Sequence, residues 1–198
     1  FVAVVVLQLA EEGRLDLDQP VASILPGLVP DGHSITIREL LGHTSGLFDY
    51  LDDEAFVRAV IAHPGRRWPP RRLVSIATAH PLLFRPGHGW SYSNTNYIVL
   101  GLVVEALTGT TIGEQLTQRI FTPLRLDHTS YPSGPSIAGA HALGYVGFAT
   151  LPRLRSLLDV TSVVSQSISW AAGGIVSTGD DVTRFYAALL GGRLLRRS

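Results

Sequence analysis

The segment from Thr95 to Leu107 constrains the fold more than any other. Ile98, Leu102, Val103 and Ala106 recur at the spacing of one helix face, and Leu107-Thr108-Gly109 is a C-terminal stop. At 198 residues the chain is long enough for one domain with a hydrophobic core around such a helix. Three further helices are announced by a Ser or Thr with an acid three residues later, the capping-box spacing: Thr36 with Glu39, Thr111 with Glu114 and, more weakly because the acid is Asp, Thr178 with Asp181. The last leads into Val182 to Leu190 and stops at Gly191-Gly192. Asp53 to Ala62 and Arg71 to Ala79 predict shorter helices, and the apolar run from Phe1 to Leu9 predicts a buried helix ended by Gly13.

Strand signals are few. Ile35 to Ile37, Gly144 to Ala149 and Ile175 to Ser177 are modest candidates, and Ser130 to Gln166 reads as long loops with short elements. The expected body is mostly helical and loop-rich with little sheet, a pattern that also suits a segment of a larger α+β fold.

Composition excludes several functions. The 16 acidic and 16 basic residues cancel, so no nucleic-acid footprint is expected. The opening apolar run falls short of the ~18 residues a membrane span needs. It also lacks the flanking charge and cleavage site of a signal peptide. Every basic residue is Arg; Lys, Cys and Met are absent. His33, His43, His63, His80, His88, His128 and His141 show no two-His helical spacing with an acid, so no metal site is expected. The Arg66 to Arg72 cluster reads as a solvated loop leading into a helix.

No nucleophile elbow of the Gly-x-Ser-x-Gly type is present. Ser45, in His43-Thr44-Ser45-Gly46, follows a short helix and precedes Gly, which reads as a structural turn. The chemically informative stretch runs from Arg85 to Tyr97, where a Pro-Gly turn leads through a short extended segment into the strong helix. Alternation there puts Tyr92 and Asn94 on one side and Ser93 on the other. A phenol can relay a proton where nearby cations favour its ionised form, and an amide can both donate to and accept from a peptide bond. The spacing equally allows Tyr92 merely to pack and Asn94 merely to cap the helix.

Leu40-Leu41-Gly42-His43-Thr44-Ser45-Gly46-Leu47 followed by Tyr92-Ser93-Asn94-Thr95-Asn96-Tyr97 resembles the class C β-lactamase-related superfamily, and most of all its actinobacterial serine D-alanyl-D-alanine carboxypeptidases. The stretches Leu7 to Asp18, Ile120 to Leu124, Gly139 to Tyr145 and Ser169 to Thr178 agree in order along the chain. The resemblance implies an α+β, β-lactamase/transpeptidase-like fold, with residues 1–198 a single incomplete domain that is mainly its helical part. It also implies a Ser nucleophile in an S-x-x-K motif, activated by that Lys and by the Tyr of a Tyr-x-Asn motif, with a Lys- or His-Thr-Gly motif opposite. Tyr92 matches the general base and acid, Asn94 the residue that holds the substrate amide, and Trp170, a weaker match, a residue lining the cleft.

The departures are specific. Without Lys the chain can hold neither S-x-x-K nor Lys-Thr-Gly, and no His-Thr-Gly follows Thr178. The resemblance places the nucleophile motif just ahead of Phe1 and the third motif, with most of the sheet, beyond Ser198. The expected function is that of a central segment of a penicillin-recognising serine hydrolase, carboxypeptidase-like, working through an acyl-enzyme and inactive as this segment alone. A β-lactamase or a family esterase is the alternative. Non-catalytic binding of cell-wall peptide, or docking on a partner that supplies the missing strands, is a reading of another class. The resemblance implies cell-wall peptide or a β-lactam as ligand, no cofactor, and a location outside the cytoplasmic membrane.

Overall fold

The structure is a computed structural model that describes residues 1–132, 137, 139, 141–146, 158–161 and 163–196. Nine α-helical segments are found among the described residues: α1 Val2–Glu11, α2 Ile37–Leu41, α3 Glu54–Ala62, α4 Pro70–Ala77, α5 Asn94–Thr108, α6 Ile112–Leu116, α7 Thr122–Leu124, α8 Trp170–Gly173 and α9 Gly179–Leu190. A π-turn over Thr117–Phe121 joins α6 to α7. Strands β1 Tyr145–Val146 and β2 Leu158–Asp159 pair antiparallel, Tyr145 opposite Asp159. This is the helical, sheet-poor part expected of an α+β domain.

Helix ends follow local chemistry. Thr36 and Glu39, and likewise Thr111 and Glu114, exchange side-chain-to-backbone bonds in complete capping boxes. At α9 the Thr178 hydroxyl accepts from the Asp181 N–H, but the Asp181 carboxylate turns away to the backbone N–H of His128 and the Thr129 hydroxyl. Asp53 caps α3 and Pro70 occupies the first turn of α4, so these helices begin near the predicted points. Past α1, the Gly13 N–H bonds to the Ala10 carbonyl and the Arg14 N–H to the Leu9 carbonyl, a Schellman closure made possible by Gly13 at φ 70°.

Helix α5 is the centre of the molecule and packs against α1, α2, α4, α6 and α8. It is not amphipathic as the stripe suggested. Every residue from Ile98 to Val104 is buried, whereas Ala106 is exposed. Neighbours on several sides bury faces that a surface helix would leave wet. One hydrophobic core runs around it, from Val2 to Leu194.

Two of the three expected strands need correction. Thr36 forms an isolated bridge with Pro20, but its capping box turns Ile37 into α2. Val176 likewise makes only an isolated bridge, to Ser130. Of the Gly144 to Ala149 candidate, only Tyr145–Val146 is strand, and residues 147–149 lie outside the described residues. Among the described residues no single helix is long and apolar enough to cross a membrane, and no group of three or more His, Cys, Asp or Glu residues could hold a metal ion.

Candidate active site

Two irregular segments, 43–49 and 83–93, lie side by side at the entrance to α5, the second turning at Pro86-Gly87. The Ser91 N–H donates to the His43 carbonyl at 3.1 Å, the Gly87 N–H to Thr44 at 2.9 Å, and the Leu83 N–H to Gly46 at 2.8 Å. Gly46, at φ 78°, is required here: a Cβ at that position would lie 2.3 Å from the Phe84 carbonyl oxygen.

Alternation along the second segment sorts its side chains. Ser93 points inward and is fully buried; its N–H donates to His43 Nδ1 at 3.2 Å and its hydroxyl to the Phe48 carbonyl at 3.2 Å. Tyr92 points outward, 54% exposed, and its hydroxyl donates to Asn94 Oδ1 at 3.2 Å. Asn94 does not cap its own helix. Its backbone N–H and its Nδ2 both donate to Asp49 Oδ2, at 3.0 Å and 2.7 Å. The N-terminus of α5 is therefore met by a carboxylate from a distant segment, which satisfies one of its free N–H groups and suits its dipole.

His43 supports Tyr92 from beneath. It sits in the left-handed region at φ 58°, with its ring 4.6 Å from that of Tyr92 and 5.4 Å from that of Tyr97, centroid to centroid. The exposed Trp90 meets it edge-on at 6.5 Å. Nδ1 faces the Ser93 N–H and the Asn96 amide nitrogen, the latter at 3.1 Å, which assigns the ring to the neutral tautomer protonated at Nε2. Burial pushes the His43 pKa below the ordinary histidine value, against the opposing pull of the Asp49 charge. Asn96 in turn accepts from the Ser45 hydroxyl at 2.6 Å, and Ser45 Oγ accepts from the Leu47 N–H. Ser45 is buried and engaged as donor and acceptor, a structural residue and not a nucleophile.

Trp170 lies elsewhere. It opens α8 at φ 36° with its indole against Gly101, where an added Cβ would come within 2.6 Å of its Cζ3. Gly101 is seven residues beyond Asn94 on α5, about 10 Å along the axis at helical rise. Trp170 borders a cavity of about 810 Å³ that Trp68, Glu105, Ile112 and Tyr131 also line and that neither Tyr92 nor Asn94 reaches. The structure thus brings Tyr92 and Asn94 together and places Trp170 two turns away.

Sequence reasoning missed Asp49, His43 as a ring support, and Asn96. Asp49 had one signal, an acid inside the apolar run Leu47-Phe48-Asp49-Tyr50-Leu51. Nothing in the spacing could pair it with a residue 45 positions away.

Compared with known proteins, residues 1–198 match the family described as Beta-lactamase. The D-stereospecific amidohydrolase from Streptomyces sp. superposes with a TM-score of 0.91 at 40% identity, covering 99% of this chain and 59% of that one. The D-amino acid amidase from Ochrobactrum anthropi SV3, with L-phenylalanine amide, does so with a TM-score of 0.85 at 30% identity, covering 99% and 54%. Penicillin-binding protein 4 from Amycolatopsis lactamdurans is 31% identical over 198 residues, 93% of this chain and 47% of its own length. The chain thus spans about half the length of the relatives it matches.

Proposed function

Because the chain belongs to the Beta-lactamase family of serine hydrolases, we propose that its protein cleaves an amide bond next to a D-amino acid residue through a serine acyl-enzyme. The observation that carries this reading is the Tyr92 hydroxyl at 3.2 Å from Asn94 at the entrance of α5. A hydroxyl poised beside an amide can move a proton while the amide orients the scissile group. The D-stereospecific amidohydrolase and the D-amino acid amidase support the D-configured substrate. The resemblance to D-alanyl-D-alanine carboxypeptidases points to a peptide ending in D-Ala-D-Ala, and the amidases to a simple D-amino acid amide.

In this reading a Ser Oγ attacks the carbonyl as its proton passes to the Tyr92 oxygen, and the proton that the Tyr92 hydroxyl already carried passes on to the departing amine as the C–N bond breaks. Water then releases the acyl group. Asn94 holds the substrate amide, and backbone N–H groups hold the oxyanion. The nucleophile is assigned to no Ser of this chain, and the accompanying Lys is a residue type the chain lacks. Trp170 is proposed as a wall of the substrate cleft on the strength of the family likeness alone. Cell-wall peptide or a β-lactam as ligand, and a location outside the cytoplasmic membrane, belong to the same proposal.

The test uses the protein expressed from its whole gene, flanking sequence included. A tagged penicillin should leave a stoichiometric covalent adduct by mass, whereas residues 1–198 expressed alone should leave none. Peptides ending in D-Ala-D-Ala and D-phenylalanine amide are then compared with their L counterparts. Absence of an adduct together with equal turnover of D and L substrates sinks the proposal; preference between the two D substrates decides carboxypeptidase against amidase.

A further inference from the structure

We infer that Asp49 is a positioning residue that sets the orientation of the Asn94 amide and leaves one of its protons for the substrate, an inference that rests on the reading of Asn94 as a substrate-binding group. The two ends of the Asn94 amide are held by groups of opposite demand. Nδ2 donates to Asp49 Oδ2 at 2.7 Å and Oδ1 accepts from the Tyr92 hydroxyl at 3.2 Å. Turning the amide over would set its oxygen against a carboxylate oxygen and lose the donor, so the arrangement has one sense. Nδ2 carries two protons and Asp49 engages one, so the other remains to meet a carbonyl.

Asp49 can impose this because it is itself immobile. It is buried, and its second oxygen accepts from the Leu51 N–H at 3.0 Å, starting the turn Tyr50–Asp52. The backbone on both sides is clamped by Thr95, whose hydroxyl donates to the Phe48 carbonyl at 2.7 Å and accepts from the Tyr50 N–H at 3.3 Å. The Tyr50 hydroxyl bonds the Ile168 carbonyl. A ligating group held by a fixed neighbour stays within the narrow tolerance that catalytic geometry demands. Asp49 also accepts from the Asn94 backbone N–H, so a rival role exists, that of a plain helix cap.

A double-mutant cycle on the protein expressed from its whole gene separates the two. Acylation by a tagged penicillin is timed for the wild type, Asp49→Ala, Asn94→Ala and the double variant, with thermal melting as the check on folding. Loss of Asp49 should slow acylation about 10- to 100-fold, the penalty of a misplaced group. In the Asn94→Ala background the same change should alter the rate by less than about twofold, since Asp49 would have nothing left to orient. Equal slowing in both backgrounds makes Asp49 a general prop and overturns the inference, as does an Asp49→Ala protein with the wild-type rate while Asn94→Ala is slow. Wild-type acylation by Asn94→Ala overturns instead the underlying reading of Asn94. Should Asp49→Ala not fold, amide exchange in the wild type still decides: one Nδ2 proton of Asn94 should be protected and the other not, and two freely exchanging protons refute the contact.

Discussion

At the scale of residues, the site divides into groups that face outward and groups that hold them. Tyr92 is exposed and makes one modest hydrogen bond from its hydroxyl, so removing that oxygen should leave the fold intact. Tyr92→Phe is expected to melt within a degree or two of wild type and to lose about 10²- to 10⁴-fold in acylation rate, the usual contribution of a general acid–base group. Rate and melting temperature measured on one preparation check both halves. His43 predicts a pH dependence. Its pKa is lowered on folding, so the unfolded chain takes up a proton near pH ~6.5 while the folded chain does so only further down. Stability should therefore decline as pH falls from about 7 through that interval and flatten below the folded pKa. Subtracting the melting curve of His43→Gln from that of wild type isolates this histidine from the others, and a flat difference refutes it. The outward Tyr92–Asn94 pair was legible from alternation; His43 was not, because its ring stacking joins residues nearly 50 positions apart.

At the scale of elements, helix ends were legible and helix surroundings were not. Capping depends on residues within one turn, so Thr36 with Glu39, Thr111 with Glu114 and the Gly13 stop could be read from spacing. The burial of α5 depends on what lies around it. Its contact with α8 is the tightest consequence: a Cβ on Gly101 would lie 2.6 Å from both Trp170 Cζ3 and Ala171 Cβ. Gly101→Ala should therefore destabilise by about 1–3 kcal/mol, even though alanine is the better helix former by about 1 kcal/mol. Urea denaturation measures it, and a variant as stable as wild type would mean that α8 can move aside freely. The strand expectations at Ile35 to Ile37 and Ile175 to Ser177 failed for related reasons, whereas Tyr145–Val146 within the third is strand. Short apolar runs carry no periodicity that separates strand from cap or bridge, and at Ile37 a capping box outweighs β-propensity.

At the scale of the whole molecule, helices from both ends of the chain share one core, with the Phe1 ring stacked on Phe185 at 3.9 Å. A single core predicts a single transition. Unfolding of residues 1–198 in urea, followed by far-UV circular dichroism and by tryptophan fluorescence, should give coincident curves; midpoints that separate would mean that the helices around α5 unfold independently. Family membership is also a property of this scale, since the likeness extends over residues 1–198.

Helix termini, the Tyr92 and Asn94 alternation, the structural role of Ser45 and the family itself could all be read along the chain. Each rests on interactions within about four residues or on motifs quoted in order. The grip of Asp49 on Asn94, the neutral His43 beneath Tyr92, the Gly101 contact and the distance of Trp170 from Asn94 emerged once the chain was closed. They join positions 45 to about 70 residues apart, and no local pattern encodes which distant partners the packing of a shared core will bring together.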